Sequence, residues 1–143
     1  MQLDDLLNKI LDAPVGKVEN VLSEVLNNNI KLRIIEQSTI SPHKFERKVT
    51  ISSNGLPVIK AQVRFDSTIL PGFIMDELLR RKEGIGAILT RNNINGKRKV
   101  ISVNHNLVEK NVTREYEIII DKVVWFTIFE EIRLDNLGTT KNS

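Results

Sequence analysis

The chain has 143 residues, 41% hydrophobic and 27% charged, enough apolar material for one core and enough charge to solvate its surface. Its 21 basic and 18 acidic residues leave a net charge of +3, scattered rather than striped, and aromatics are only 5%, which argues against a nucleic-acid binder. No apolar run approaches the ~20 residues needed to span a bilayer, the acidic start Met1–Asp5 is unlike a secretory leader, and the lack of cysteine excludes disulfides, a thiol nucleophile and thiolate metal ligands. A cytoplasmic protein, monomeric or homodimeric and away from membranes, is the expectation.

Leu3, Leu6, Leu7, Ile10 and Leu11 repeat at helical spacing and predict a first helix, broken by Pro14 and Gly16. Val18, Val21, Leu22 and Val25 predict a second, stopped by Asn27-Asn28-Asn29, because asparagine tolerates the left-handed backbone of a helix end. Ile30, Leu32 and Ile34 alternate as a short strand, followed by an exit loop from Ile35 to Pro42. Phe45 to Ser52 alternates again, Asn54-Gly55 is a hairpin turn, and Pro57 to Phe65 returns. Leu70-Pro71-Gly72 then breaks the chain before a helix from Phe73 to Arg81, and Glu83 to Gly86 reads as a turn. Arg98 to Val103, with Val100 inward, and Arg114 to Ile120 are further strands. Asp121-Lys122 is a tight turn into the longest strand, Val123 to Leu134. Strands joined by short turns predict an α+β fold with a mainly antiparallel sheet of about six strands and helices packed on it. One domain is expected over residues 1–137, with N-terminal helices in 1–29 and a frayed tail over 138–143.

Several chemistries find no support. There is no phosphate loop, no dinucleotide fingerprint around Gly84-Ile85-Gly86 and no nucleophile elbow. His43 and His105 lie at no metal-ligand spacing and read as exposed loop residues, so no metal site is expected. What stands out is charge on apolar strand faces. Arg47 shares a face with Phe45, Val49 and Ile51, and Glu130 with Val124, Phe126, Ile128 and Ile132. Such charges sit at a sheet rim or point into a cavity, since an unpaired buried charge is expensive. A cavity would make the arginine a carboxylate clamp and the glutamate a proton handler.

The motifs also come in an informative order. Glu36-Gln37-Ser38-Thr39 precedes Arg47-Lys48-Val49-Thr50-Ile51, then Val58 to Val63, Leu70-Pro71, Leu78-Leu79, Gly84 to Leu89, Arg98 and a last strand with Glu130. From Ile35 to Leu134 this series resembles the chorismate lyase family, in its compact archaeal and cyanobacterial-type branch. The resemblance implies an internal ligand cavity beneath flaps, and elimination of pyruvate from chorismate to give 4-hydroxybenzoate without a cofactor. It implies Arg47 as the carboxylate clamp, Ile85 and Gly86 as residues that offer backbone groups to the ligand, Arg98 as a further binding residue, and Thr39 or Ile40 on the flap. It places the catalytic glutamate on the last strand, where Glu130 continues the apolar face and Glu131 is the alternative.

The effector-binding domains of GntR-type transcription regulators share this fold. The second expectation is therefore a domain that binds an aromatic or anionic metabolite without reacting it. Those domains normally follow a DNA-binding winged helix. The residues ahead of Ile35 are too few for one, which on sequence alone favours the lyase.

Overall fold

The computed structural model describes residues 2–140. Two helices, α1 (Leu3–Asp12) and α2 (Val18–Leu26), lead into a meander of β1 (Ile30–Ser41), β2 (Lys44–Ser53) and β3 (Leu56–Asp66). Helices α3 (Gly72–Leu79) and α4 (Ile85–Arg91) follow, then β4 (Lys97–Asn106), β5 (Asn111–Ile120), β6 (Val123–Arg133) and α5 (Leu134–Thr140). The six strands form one sheet in the order β1-β2-β3-β6-β5-β4, with every neighbouring pair antiparallel. The fold is α+β, as expected. No helix among the described residues is long and apolar enough to cross a membrane.

The turns follow from their residues. Asn54 and Gly55 have φ of 51° and 83°, and Asp121 and Lys122 have 49° and 67°. Two successive positive φ values twist a two-residue hairpin to match its strands. Asn27, with φ of 52°, ends α2 in the left-handed region as its residue type suggests.

The helices cover one sheet face in two groups. Leu78, Ile74, Ile88 and Leu89 of α3 and α4 pack on Val63, Tyr116, Ile118 and Ile128. Leu6, Ile10 and Leu22 of α1 and α2, with Leu137 of α5, pack on Ile59, Val112 and Ile132. The opposite face carries Lys48, Lys60, Glu115 and Glu131, as strand alternation requires.

Three elements differ from the sequence reading. The exit loop is strand: β1 continues to Ser41 because a bulge between Ile34 and Glu36 absorbs Ile35, which is exposed, and resumes pairing. The bulge shifts the alternation by one residue, so Gln37, not Glu36, turns to the core opposite Arg47. The segment read as a turn at Gly84 opens helix α4. The last strand stops at Arg133, and residues 138–140 close α5, held by buried Leu137; residues 141–143 of the expected tail lie outside the described residues.

Strand β4 is an edge strand whose one extensive contact is with β5. Val100 is therefore 48% exposed rather than inward. His105 lies on this strand, also exposed, and His43 is exposed in the β1–β2 turn.

Candidate ligand site

Where the two helix groups part, the sheet face is open to a small cavity. Register explains its position. Val49, Ala61, Glu130 and Arg114 form one row across β2, β3, β6 and β5. Ala61 is the smallest side chain in that row, and the cavity of about 110 Å3 lies over it. Ile59, Val63, Ile118 and Ile128 complete an apolar floor. The roof is the link between α1 and α2, at Val15 and Gly16, together with Gly84, Ile85 and Gly86 at the start of α4. Gly86 permits this closure, since a Cβ there would stand 2.3 Å from the Gly16 Cα. Gly16 itself has a φ of 83°, a conformation that favours glycine.

The polar groups gather at one side. Arg114 Nε donates to Glu130 Oε1 at 2.6 Å, and the Tyr116 hydroxyl donates to Glu130 Oε2 at 3.2 Å. Arg114 Nη1 donates to the Leu11 carbonyl at 3.0 Å, and Arg98 Nη1 to the Ala13 carbonyl. Both guanidinium carbons lie 4.8 Å from the centre of the Tyr116 ring. Arg114 and Glu130 are almost wholly buried, at 1% and 4% exposure. Burial, reinforced by the Glu130 charge, pushes the Tyr116 phenol well above its usual range, so it stays protonated and donates.

Two arginines thus flank the Tyr116 ring, and Arg114 pairs with the Glu130 carboxylate. Arg98 Nε and Arg114 Nη2 are both buried with no hydrogen-bond partner among the described residues. Buried donors normally find partners. An arginine with spare donors beside a cavity is suited to a carboxylate or phosphate oxygen.

The structure brings together some of the expected site residues and separates others. Glu130, Arg98, Ile85 and Gly86 line the cavity. Glu131 is on the opposite sheet face, where Asn111 Nδ2 donates to its Oε2 at 2.6 Å. Thr39 and Ile40 are exposed towards the far end of β1 and are not among the lining residues.

Arg47 is fully buried, yet it is not a lining residue either. Its Nε donates to Gln37 Oε1 at 2.8 Å, Nη1 to the Glu83 carbonyl at 2.7 Å and Nη2 to the Leu78 carbonyl at 2.8 Å. The last carbonyls of a helix lack partners within it. Arg47 supplies one at the end of α3 and ties the α3–α4 link to the sheet. The clamp expected of Arg47 is thus directed at backbone rather than into the cavity. Burial and the nearby Arg81 lower its pKa to about 10, which leaves it cationic at neutral pH.

Arg114 and Tyr116 went unrecognised in the sequence, although the signal was there. Val112, Arg114, Tyr116, Ile118 and Ile120 alternate inward along β5. A strand bounded at Arg114 puts that arginine at its end, where a charge carries no signal, whereas β5 begins at Asn111. Glu19, also on the cavity wall, gave no signal beyond its place in a polar stretch of α2.

No protein-family model matches the sequence, and no curated protein matches it. Solved structures do match. The effector domain of PhnF from Mycobacterium smegmatis aligns with a TM-score of 0.61 at 8% identity, covering 86% of this chain and 91% of that one. The ligand-binding domain of a GntR-family transcriptional regulator from Bordetella bronchiseptica aligns with a TM-score of 0.51 at 11% identity, covering 76% and 87%. A second PhnF structure gives 0.61 at 8% identity, and this chain spans 64% of its length. At such identities the likeness is one of fold. The chain has the fold of GntR-family effector-binding domains, the one anticipated as shared with chorismate lyases.

Proposed function

We infer that the chain is a ligand-binding domain for a small anionic metabolite, and that it recognises its ligand without transforming it. The observation that carries this reading is the pair of unpartnered guanidinium donors at the polar side of the cavity. Arg98 lines the cavity and Arg114 lies behind the Glu130 and Tyr116 of its wall, and each keeps a buried donor with no partner among the described residues. The resemblance in fold to effector-binding and ligand-binding domains supports the same reading.

The site chemistry is less favourable to the lyase. Glu130 accepts from both Arg114 and Tyr116, so it is held as an ion-pair partner rather than free to pass a proton. Size points the same way. A cavity of about 150 Å3 accommodates one benzene ring, and this one is about 110 Å3. Chorismate, with a ring, two carboxylates and an enolpyruvyl ether, needs more room unless the roof moves.

The test has two arms. The purified protein is incubated with chorismate and pyruvate is followed through lactate dehydrogenase. In parallel, its melting temperature is recorded with short-chain carboxylates, benzoate, 4-hydroxybenzoate and inorganic phosphate. The binding reading expects no pyruvate and a saturable rise in melting temperature with at least one anion. Pyruvate together with 4-hydroxybenzoate, lost in Glu130→Gln, would establish the lyase instead. Neither turnover nor binding would remove both.

A further inference from the structure

Glu19 has no part in the network around Glu130. It projects from α2 into the cavity wall, partly buried, and makes no hydrogen bond or ion pair among the described residues. The cavity it lines is mostly apolar, with Val15, Val18, Leu32 and Ile51 among the other lining residues. A carboxylate in such a place loses hydration and gains nothing in return.

The other incompletely satisfied charge on the wall is Arg98, whose Nε is buried without a partner. The two charges are opposite, yet no ion pair joins them. Glu130 already has Arg114 as its ion-pair partner and accepts from Tyr116, and no ion pair joins it to Arg98. The wall therefore presents one cation with a spare donor and one anion with spare acceptors, around an apolar interior sized for a few heavy atoms.

We propose that the cavity takes a compact zwitterion, with its anionic end on Arg98 and its protonated nitrogen on Glu19. This rests on the ligand-binding reading and adds the nitrogen to it. Arg98 alone would select any small anion. Glu19 makes the site discriminate, because a purely anionic ligand leaves a carboxylate unpaired in the same apolar space and meets its charge across it. A ligand with an ammonium group supplies the missing donor and removes that repulsion.

The probes are ω-amino acids from glycine to aminohexanoate, each beside a fatty acid and an alkylamine of equal chain length. Calorimetry on the full chain measures each Kd. One chain length among the amino acids is expected to bind about tenfold or more tighter than its matched acid, roughly the worth of one charge-assisted hydrogen bond. Glu19→Gln is expected to abolish that preference while still binding the acid. Arg98→Gln is expected to weaken both. Glu19 is only partly buried and unbonded, so its replacement leaves the fold intact, which the melting temperature checks. Fatty acids binding as tightly as the amino acids, with Glu19→Gln unchanged, would overturn the zwitterion and leave the anion site standing. No binding by any series, with no response to phosphate or benzoate, would overturn both.

Discussion

Replacing Arg47 by methionine separates two accounts of this residue. Methionine keeps much of the volume of the side chain and removes its charge and donors. Three bonds are lost, to Gln37, the Glu83 carbonyl and the Leu78 carbonyl. Each hydrogen bond to a charged group is worth about 1.5–3 kcal/mol. The full sum overstates the loss. The Leu78 carbonyl keeps Gln37 Nε2 at 3.0 Å and the Arg81 amide at 3.1 Å, and the variant no longer desolvates a guanidinium. A net cost of about 3–4 kcal/mol is reasonable on that basis. For a domain of this length, that is a fall of about 10–15 °C in melting temperature. The assay is thermal unfolding followed by circular dichroism, with anion binding measured well below the midpoint. The expected result is a large loss of stability with binding retained in the folded protein. An unchanged melting temperature together with lost binding would refute the reasoning and restore Arg47 as the ligand clamp.

Filling the cavity should silence it: Ala61→Leu, at the centre of the row over which the cavity lies, is expected to abolish the ligand-induced rise in melting temperature while changing stability by no more than about 1–3 kcal/mol. Gly86→Ala places a Cβ 2.3 Å from the Gly16 Cα and should separate the α1–α2 link from α4. The expected cost is about 1–3 kcal/mol in urea unfolding, with faster amide exchange at Gly16. Arg114→Leu leaves Glu130 buried and unpaired and should cost about 3–5 kcal/mol. The double variant with Glu130→Leu should recover most of that, whereas additive losses would contradict the pairing. Burial raises the pKa of Glu19 above its ordinary 4.5, so the folded state binds more protons than the unfolded one just above that pH. Stability should therefore fall as pH rises through this window, and Glu19→Gln should be the more stable protein at neutral pH but equal to the parent in acid.

The strands and their pairing were largely legible, because alternation and the turn residues Asn54-Gly55 and Asp121-Lys122 act locally. What escaped was what depends on neighbours in space. The bulge at Ile35 interrupts the alternation, so a continuous β1 looked like a strand and a loop. Helix α4 has seven residues and is capped by Gly84, and the run Gly84-Ile85-Gly86 at its start looks like a turn until Gly16 is seen packed on Gly86.

The site divides in the same way. Glu130 was separable from Glu131 by its apolar face, and the structure places it inward. Arg47 satisfied the same rule and is also buried, but pattern alone cannot say whether a buried charge meets a ligand or a helix end. Arg114, which pairs with Glu130, would have emerged from extending β5 three residues towards its start. Ala61, which leaves room for the cavity, carries no chemical signal at all.

The most direct measurement is a titration of the 15N-labelled protein with butyrate and with γ-aminobutyrate, followed by amide chemical shifts. The account predicts saturable shifts that cluster at Gly16, Gly84, Gly86, Tyr116 and Ile118, around the cavity, and that vanish in Ala61→Leu. Shifts confined to the lysines of the open sheet face, such as Lys48 and Lys60, or no saturable shift with either probe, would contradict it.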